Sequence, residues 1–228
     1  RFFHYAPKID ASLRRDWREP MSSAQIEALA VFAAHCRAHG LRFGVGLTPF
    51  GTQRAFTADD RQALERKLIA LDAAGIDDLA ILFDDMDGAF HDLAERQATI
   101  IDIAAQSTRA TRLFACPSYY SDDPVLDRVF GARPADYLET LGRRLDPAIA
   151  IYWTGEEVCA AEIGCGHLAD VAERLGRKPA LWDNYPVNDG PRMSQYLHLR
   201  AFTGRSSLVE SGLAVHAINP ASQAVIGC

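Results

Sequence analysis

No stretch of about 18 consecutive apolar residues occurs in this sequence, so no membrane-spanning helix is expected. No CxxC pair occurs either. The five cysteines, Cys36, Cys116, Cys159, Cys165 and Cys228, are scattered. The nearest approach to a metal motif, Cys159…Cys165-Gly166-His167, has no standard zinc spacing. The cysteines therefore read as ordinary reduced thiols and no metal site is expected, which favours a cytoplasmic setting. The first residue is Arg1, inside a strand-like run, so any signal peptide would lie upstream of it. No block of like charge stands out: 24 Lys and Arg face 30 Asp and Glu, a net charge of −6, with the signs interspersed. The basic footprint of a nucleic-acid binder is missing, and an uncharged ligand fits this balance. Gly44-Val45-Gly46 lacks the third glycine of a phosphate-binding loop and lies within a strand pattern. No low-complexity linker divides the chain, so residues 1–228 read as one domain.

What is present is a repeat. Apolar, β-rich runs lie at Arg1–Pro7, Leu41–Leu47, Leu79–Asp85, Arg112–Ser118, Ala148–Thr154, Pro179–Tyr185 and Leu213–Asn219, with starts 31 to 40 residues apart. Runs such as Leu79–Phe83 and Ala148–Tyr152 are continuously apolar, as strands buried on both faces must be. Between most of them lie amphipathic helical patterns, and two have clear bounds. Ser22-Ser23 opens Ala24–His39 ahead of Gly40, and Thr57 opens Ala58–Ala74 ahead of Gly75. Alternating strands and helices predict a parallel sheet. Polar and aromatic residues crowd the C-terminal end of nearly every strand, which suits the single rim of a closed barrel better than an open sheet with one switch point. The expected fold is α/β, an eightfold (β/α) barrel of the TIM type. Seven strands cannot complete it, so the missing one is expected to be the first, and these seven to be strands 2–8.

The sharpest chemical feature is Asp84-Asp85, just past a buried strand. A carboxylate pair there is costly unless the groups are solvated, hydrogen-bonded or used. Close carboxylates also push their proton affinities apart, so that one serves as acid while the other stays ionised. The bland alternative is a helix cap. A divalent-metal site with Asp87 is another, weakened by the lack of matching ligands on other strand ends. Adjacent residues on a regular strand point to opposite faces, so the pair can act on one ligand only if the strand end twists. The second feature runs from Trp182 through Asn184 to Asp189: an indole wall for a sugar ring beside donors and acceptors for hydroxyls, with a turn as its bland reading. Tyr119, Tyr120 and Trp153 read first as packing, Lys8 as a surface lysine, and His4, His167 and His216 as structural.

Taken together, the pieces resemble glycoside hydrolase family 84, the protein O-GlcNAcases and their bacterial relatives. They are Tyr5-Ala6-Pro7-Lys8, Trp17-Arg18-Glu19, Leu82-Phe83-Asp84-Asp85, Cys116-Pro117-Ser118-Tyr119-Tyr120, Tyr152-Trp153-Thr154-Gly155, Leu181-Trp182-Asp183-Asn184 with Asn188-Asp189, and Asn219-Pro220, in the family's order. The resemblance implies a retaining hydrolysis of terminal β-linked N-acetylglucosamine (GlcNAc), with the substrate's acetamido group as nucleophile and an oxazoline intermediate. It implies that Asp84 orients the acetamido nitrogen and Asp85 is the general acid and base. Tyr120 would bond the acetamido carbonyl, Trp182 would wall its pocket, and Lys8, Asn184, Asp189 and Asn219 would bind the sugar. It implies no cofactor and no metal. The implied partner is a GlcNAc-bearing glycan or glycoprotein, with no nucleic acid and no membrane. The family has an acidic pair after the lysine where this chain has Ile9-Asp10, and its first barrel strand falls upstream of Arg1. A GlcNAc-binding barrel without turnover and a hyaluronidase-type glycosidase remain the alternatives.

Overall fold

The seven apolar runs become seven parallel strands in a computed structural model that describes residues 1–191 and 193–223; Cys228 lies outside them. The strands are β1 (Phe2–Tyr5), β2 (Arg42–Leu47), β3 (Asp78–Leu82), β4 (Arg112–Cys116), β5 (Ala150–Trp153), β6 (Ala180–Asp183) and β7 (Val215–Ile218). Each pairs in parallel with the next, so spatial order follows chain order without a switch point. This is barrel connectivity, as opposed to that of a doubly wound sheet.

The helices begin where short polar side chains satisfy the first backbone N–H groups. For α1 (Ser23–Ala38), Ser22 accepts from the Gln25 N–H and the Gln25 side chain returns to the Ser22 N–H. For α2 (Ala58–Ala73), Thr57 and Asp60 do the same. Each such cap stabilises its helix by about 1 kcal/mol. Gly40 and Gly75 close these two helices at φ of +69° and +78°, a conformation that costs a residue with a side chain about 1–2 kcal/mol. The connections continue with α3 (Leu93–Ser107), the short pair α4 (Pro124–Phe130) and α5 (Tyr137–Arg144), α6 (Cys165–Leu175) and the single turn α7 (Val209–Gly212). Gly142 of α5 lies against the Leu175 carbonyl of α6, so close that a β-carbon would collide with it.

The sheet curls. His4 on β1 accepts from the Tyr152 hydroxyl on β5 at 2.8 Å, and the Phe2 and Phe114 rings lie 5.8 Å apart. Beneath them the fully buried Asp78 carboxylate binds His4 Nε2, Arg42 and Arg112 at 3.3, 2.6 and 2.5 Å. Strands β1, β2 and β4 are thus fastened to one anion on β3. The result is a partial (β/α) barrel of seven strands. Among the described residues β1 and β7 do not pair, and a cleft of ≈ 690 Å³ lies between them, lined by residues that include His4, Tyr152, Trp182 and His216. Among the same residues, no helix is long and apolar enough to cross a membrane.

Candidate active site

The strand expected to run through Asp85 stops at Leu82, and the chain turns there. Phe83 donates its N–H to the Cys116 carbonyl at 2.9 Å, and the Ser118 hydroxyl donates to the Phe83 carbonyl at 2.9 Å. The buried Met86 side chain and the contact of Gly88 with the Tyr119 ring hold the far side of the turn. Asp85 itself adopts a left-handed φ of +59°, a region that aspartate tolerates better than most residues. This twist solves the facing problem: cations on the loop after β1 reach both carboxylates. Lys8 Nζ donates to Asp85 Oδ2 at 2.6 Å. The Arg14 guanidinium lies 3.8 Å from Asp84 Oδ2 and 3.9 Å from Asp85 Oδ2.

The two carboxylates differ in surroundings. The Asp84 side chain is 13% exposed and that of Asp85 34%. Burial, then the charge of Asp85, pushes the Asp84 carboxyl above its ordinary range, against the pull of Arg14 and Lys8. Its Oδ1 is buried and has no hydrogen-bond partner among the described residues. On the cation side, burial works to lower the Lys8 ammonium, but Asp85, Asp84 and Asp189 outweigh it and hold it above its usual range. Burial, reinforced by Asp85, keeps the Tyr120 hydroxyl protonated far above neutrality, and it donates to Asp85 Oδ1 at 3.3 Å.

A pocket of ≈ 130 Å³ opens beside Asp84, lined by Lys8, Cys116, Tyr120, Thr154, Val158, Cys159, Trp182, Asn184, Val187, Asp189 and Asn219. A second hollow of ≈ 440 Å³ adjoins it and shares Lys8, Asp84, Trp182, Asp189 and Asn219. Of the site residues that the family resemblance implies, all but Asp85 line the first pocket, and Asp85 touches it through Lys8 and Tyr120. Asn184 bridges two loops, donating to the Val158 carbonyl at 2.7 Å and accepting from Asn219 Nδ2 at 3.0 Å. One amide hydrogen and one lone pair remain for a ligand.

Other residues fall outside the pocket. Tyr119 is fully buried, and its hydroxyl donates to the Gly131 carbonyl at 2.5 Å; Trp153 is fully buried and donates to His167 Nε2 at 3.0 Å. Asp87 forms an exposed pair with Arg54 at 3.1 Å. His216 binds Asp183 at 3.1 Å. The buried Asp183 carboxylate also pairs with Arg205 at 2.6 Å, and the same guanidinium donates to the carbonyls of Ala160 and Ala161. Burial would raise the Asp183 carboxyl, but Arg205 and His216 hold it low. That ion pair ties the Val158–Cys159 loop to the Trp182 strand. Among the described residues no group of three or more His, Cys, Asp or Glu side chains is placed to hold a metal ion. Sequence reasoning missed Arg14 and Val158 as neighbours of the site, where only closeness to quoted motifs pointed, and quoted Thr154 in the Tyr152–Gly155 motif without giving it a role.

The sequence and fold have counterparts. A sequence profile of the beta-N-acetylglucosaminidase family matches residues 1–227. The Protein O-GlcNAcase of Mus musculus is 30% identical over 213 residues, 89% of this chain, and that of Rattus norvegicus is identical to the same extent. The chain spans 23% of the length of these curated relatives. A solved mutant of the Thermobaculum terrenum O-GlcNAc hydrolase superposes with a TM-score of 0.85 at 28% identity, over 98% of this chain and 49% of that one. On the strength of a profile matched almost end to end, this chain belongs to the beta-N-acetylglucosaminidases, glycoside hydrolase family 84.

Proposed function

We propose that residues 1–228 form the catalytic barrel of a retaining exo-β-N-acetylglucosaminidase that acts by substrate assistance. The observation that carries this reading is the turned Asp84-Asp85 pair at the mouth of a small pocket walled by Trp182, with one buried oxygen of Asp84 unpartnered. That oxygen would accept the acetamido N–H. The acetamido carbonyl oxygen, bonded by Tyr120, then attacks the anomeric carbon as the glycosidic C–O bond breaks. Asp85, the more exposed carboxyl, gives its proton to the leaving oxygen. Asp84 remains ionised beside the positive oxazolinium and stabilises it. Asp85 next takes a proton from water, whose oxygen attacks the anomeric carbon, opens the ring and returns the acetamido group with net retention. Lys8, Asn184, Asp189 and Asn219 would hold the hydroxyls.

The substrate is a GlcNAc-bearing glycan or glycoprotein, and no cofactor enters the scheme. The seven strands are read as strands 2–8 of an eightfold barrel, supported by the unpaired facing edges of β1 and β7 and the cleft between them. That opening also favours a second reading, a barrel that binds GlcNAc without turning it over.

Aryl β-N-acetylglucosaminides of graded leaving group separate these readings. Asp85→Asn should lose about 10²- to 10⁴-fold with poor leaving groups and much less with good ones, since only the former need protonation. Asp84→Asn should lose heavily with all. Equal losses across the series for both variants would overturn the roles. Binding of N-acetylglucosamine by calorimetry without any hydrolysis would support the second reading.

A further inference from the structure

One buried cation beside the carboxylates has no part in the steps above. The Arg14 side chain is only 14% exposed. Besides its approaches of 3.8 and 3.9 Å to Asp84 and Asp85, it donates to the Asp84 carbonyl and to Thr48 Oγ1, each at 3.4 Å. A single planar fork thus faces both carboxylates and the peptide that joins them. A lysine, a point charge on a flexible stem, cannot do this.

The loop that carries Arg14 is fastened on every side. Leu13 is buried, and its carbonyl accepts from the Thr48 N–H at 2.8 Å. The buried Lys67 ammonium, on α2, donates to the carbonyls of Ser12 and Glu19 at 2.9 and 2.8 Å. Trp17, fully buried, donates to the Phe50 carbonyl at 3.0 Å, and Arg18 pairs with Asp60 at 2.5 Å. Lys8, by contrast, is 54% exposed and sits nearer the β1 end. An arriving sugar can displace the lysine; it cannot swing Arg14 away.

We propose that Arg14 is a positioning residue, holding the left-handed Asp84-Asp85 turn so that both carboxylates face one sugar throughout the reaction. The proposal rests on the glycosidase reading for its kinetic consequences, though not for its electrostatic one. The groups facing the pair are Lys8 and Arg14 from the loop after β1, Cys116 and Tyr120 at the end of β4, and Asp189 from the loop after β6. Burial and Asp85 raise the Asp84 carboxyl, and Arg14 heads the influences that lower it.

The test pairs Arg14→Met, which removes the charge, with Arg14→Lys, which keeps it without the fork. Carboxyl titrations of the aspartate-¹³C-labelled chain, assigned with Asp84→Asn, read the charge effect without any substrate. In Arg14→Met the Asp84 titration should move up by about one pH unit or more, the effect of losing an opposite charge at this range. With nitrophenyl β-N-acetylglucosaminide, kcat should fall about 10- to 100-fold with KM changed far less, and the acid limb of kcat should move to higher pH. Arg14→Lys should leave that limb nearly in place while kcat still falls. An unmoved Asp84 titration in folded Arg14→Met, or full kcat in Arg14→Lys, would overturn the proposal. A wild-type chain without turnover would count against the glycosidase reading, and the titration would still decide the role of Arg14.

Discussion

Asp84→Asn removes a buried charge while keeping the size of the side chain and its two polar atoms. In the native chain that charge is held at a cost, because burial and Asp85 together outweigh Arg14 and Lys8 and leave the carboxyl above its ordinary value of 3.8. A carboxyl with a raised folded value contributes stability that is complete below its unfolded value and is lost as pH rises through the folded one. The amide does not titrate, so the variant escapes that loss. Its advantage should be near zero below pH 3.8, grow as pH rises past it, and reach full size above the raised value. A gain of about 0.5–2 kcal/mol is the scale of single stabilising changes at functional sites. In a chain of this length each kcal/mol appears as about 2–4 °C in Tm. Thermal melts followed by circular dichroism at pH 7 and near pH 3 measure both ends. A variant melting below wild type at pH 7, or gaining equally at both pH values, would refute the reasoning.

Asp78→Asn should act in the opposite sense. The depressed Asp78 carboxyl contributes stability above its ordinary value of 3.8, lost as pH falls through the folded one. Breaking a buried pair costs about 3–5 kcal/mol, discounted here to about 2–4 because Arg42 and Arg112 can reach water; denaturant melts at pH 7 that change by less than 1 kcal/mol would refute it. Gly142→Ala should cost about 1–3 kcal/mol, since the added methyl meets the α6 backbone at Leu175, and an unchanged melting midpoint would show that the helices separate freely.

The strand positions were legible because a strand buried on both faces must be continuously apolar, and Leu79–Phe83 and Ala148–Tyr152 could be little else. The starts of α1 and α2 were legible because Ser22 and Thr57 cap by local chemistry alone. The residues quoted from the rim gather at one pocket because barrel connectivity brings strand ends together. What escaped the sequence depends on tertiary placement. The positive φ of Asp85 follows from contacts made by Phe83, Ser118 and Met86, and no residue type announces it. Arg14 and Lys67 look like surface charges until the loop after β1 folds, burying Lys67 of α2 beneath it and turning Arg14 toward Thr48 and the Asp84-Asp85 pair. Tyr119 and Trp153, one step along the chain from pocket positions, point into packing because neighbouring side chains alternate.

The central claim is that the adjacent aspartates cleave a β-linked N-acetylglucosamine. Release of phenol from phenyl β-N-acetylglucosaminide by the 228-residue chain, beside the same chain carrying Asp85→Asn, tests it most directly. The account predicts release by the first and, with a poor leaving group, a loss of about 10²-fold or more in the second. Equal release by both would contradict it.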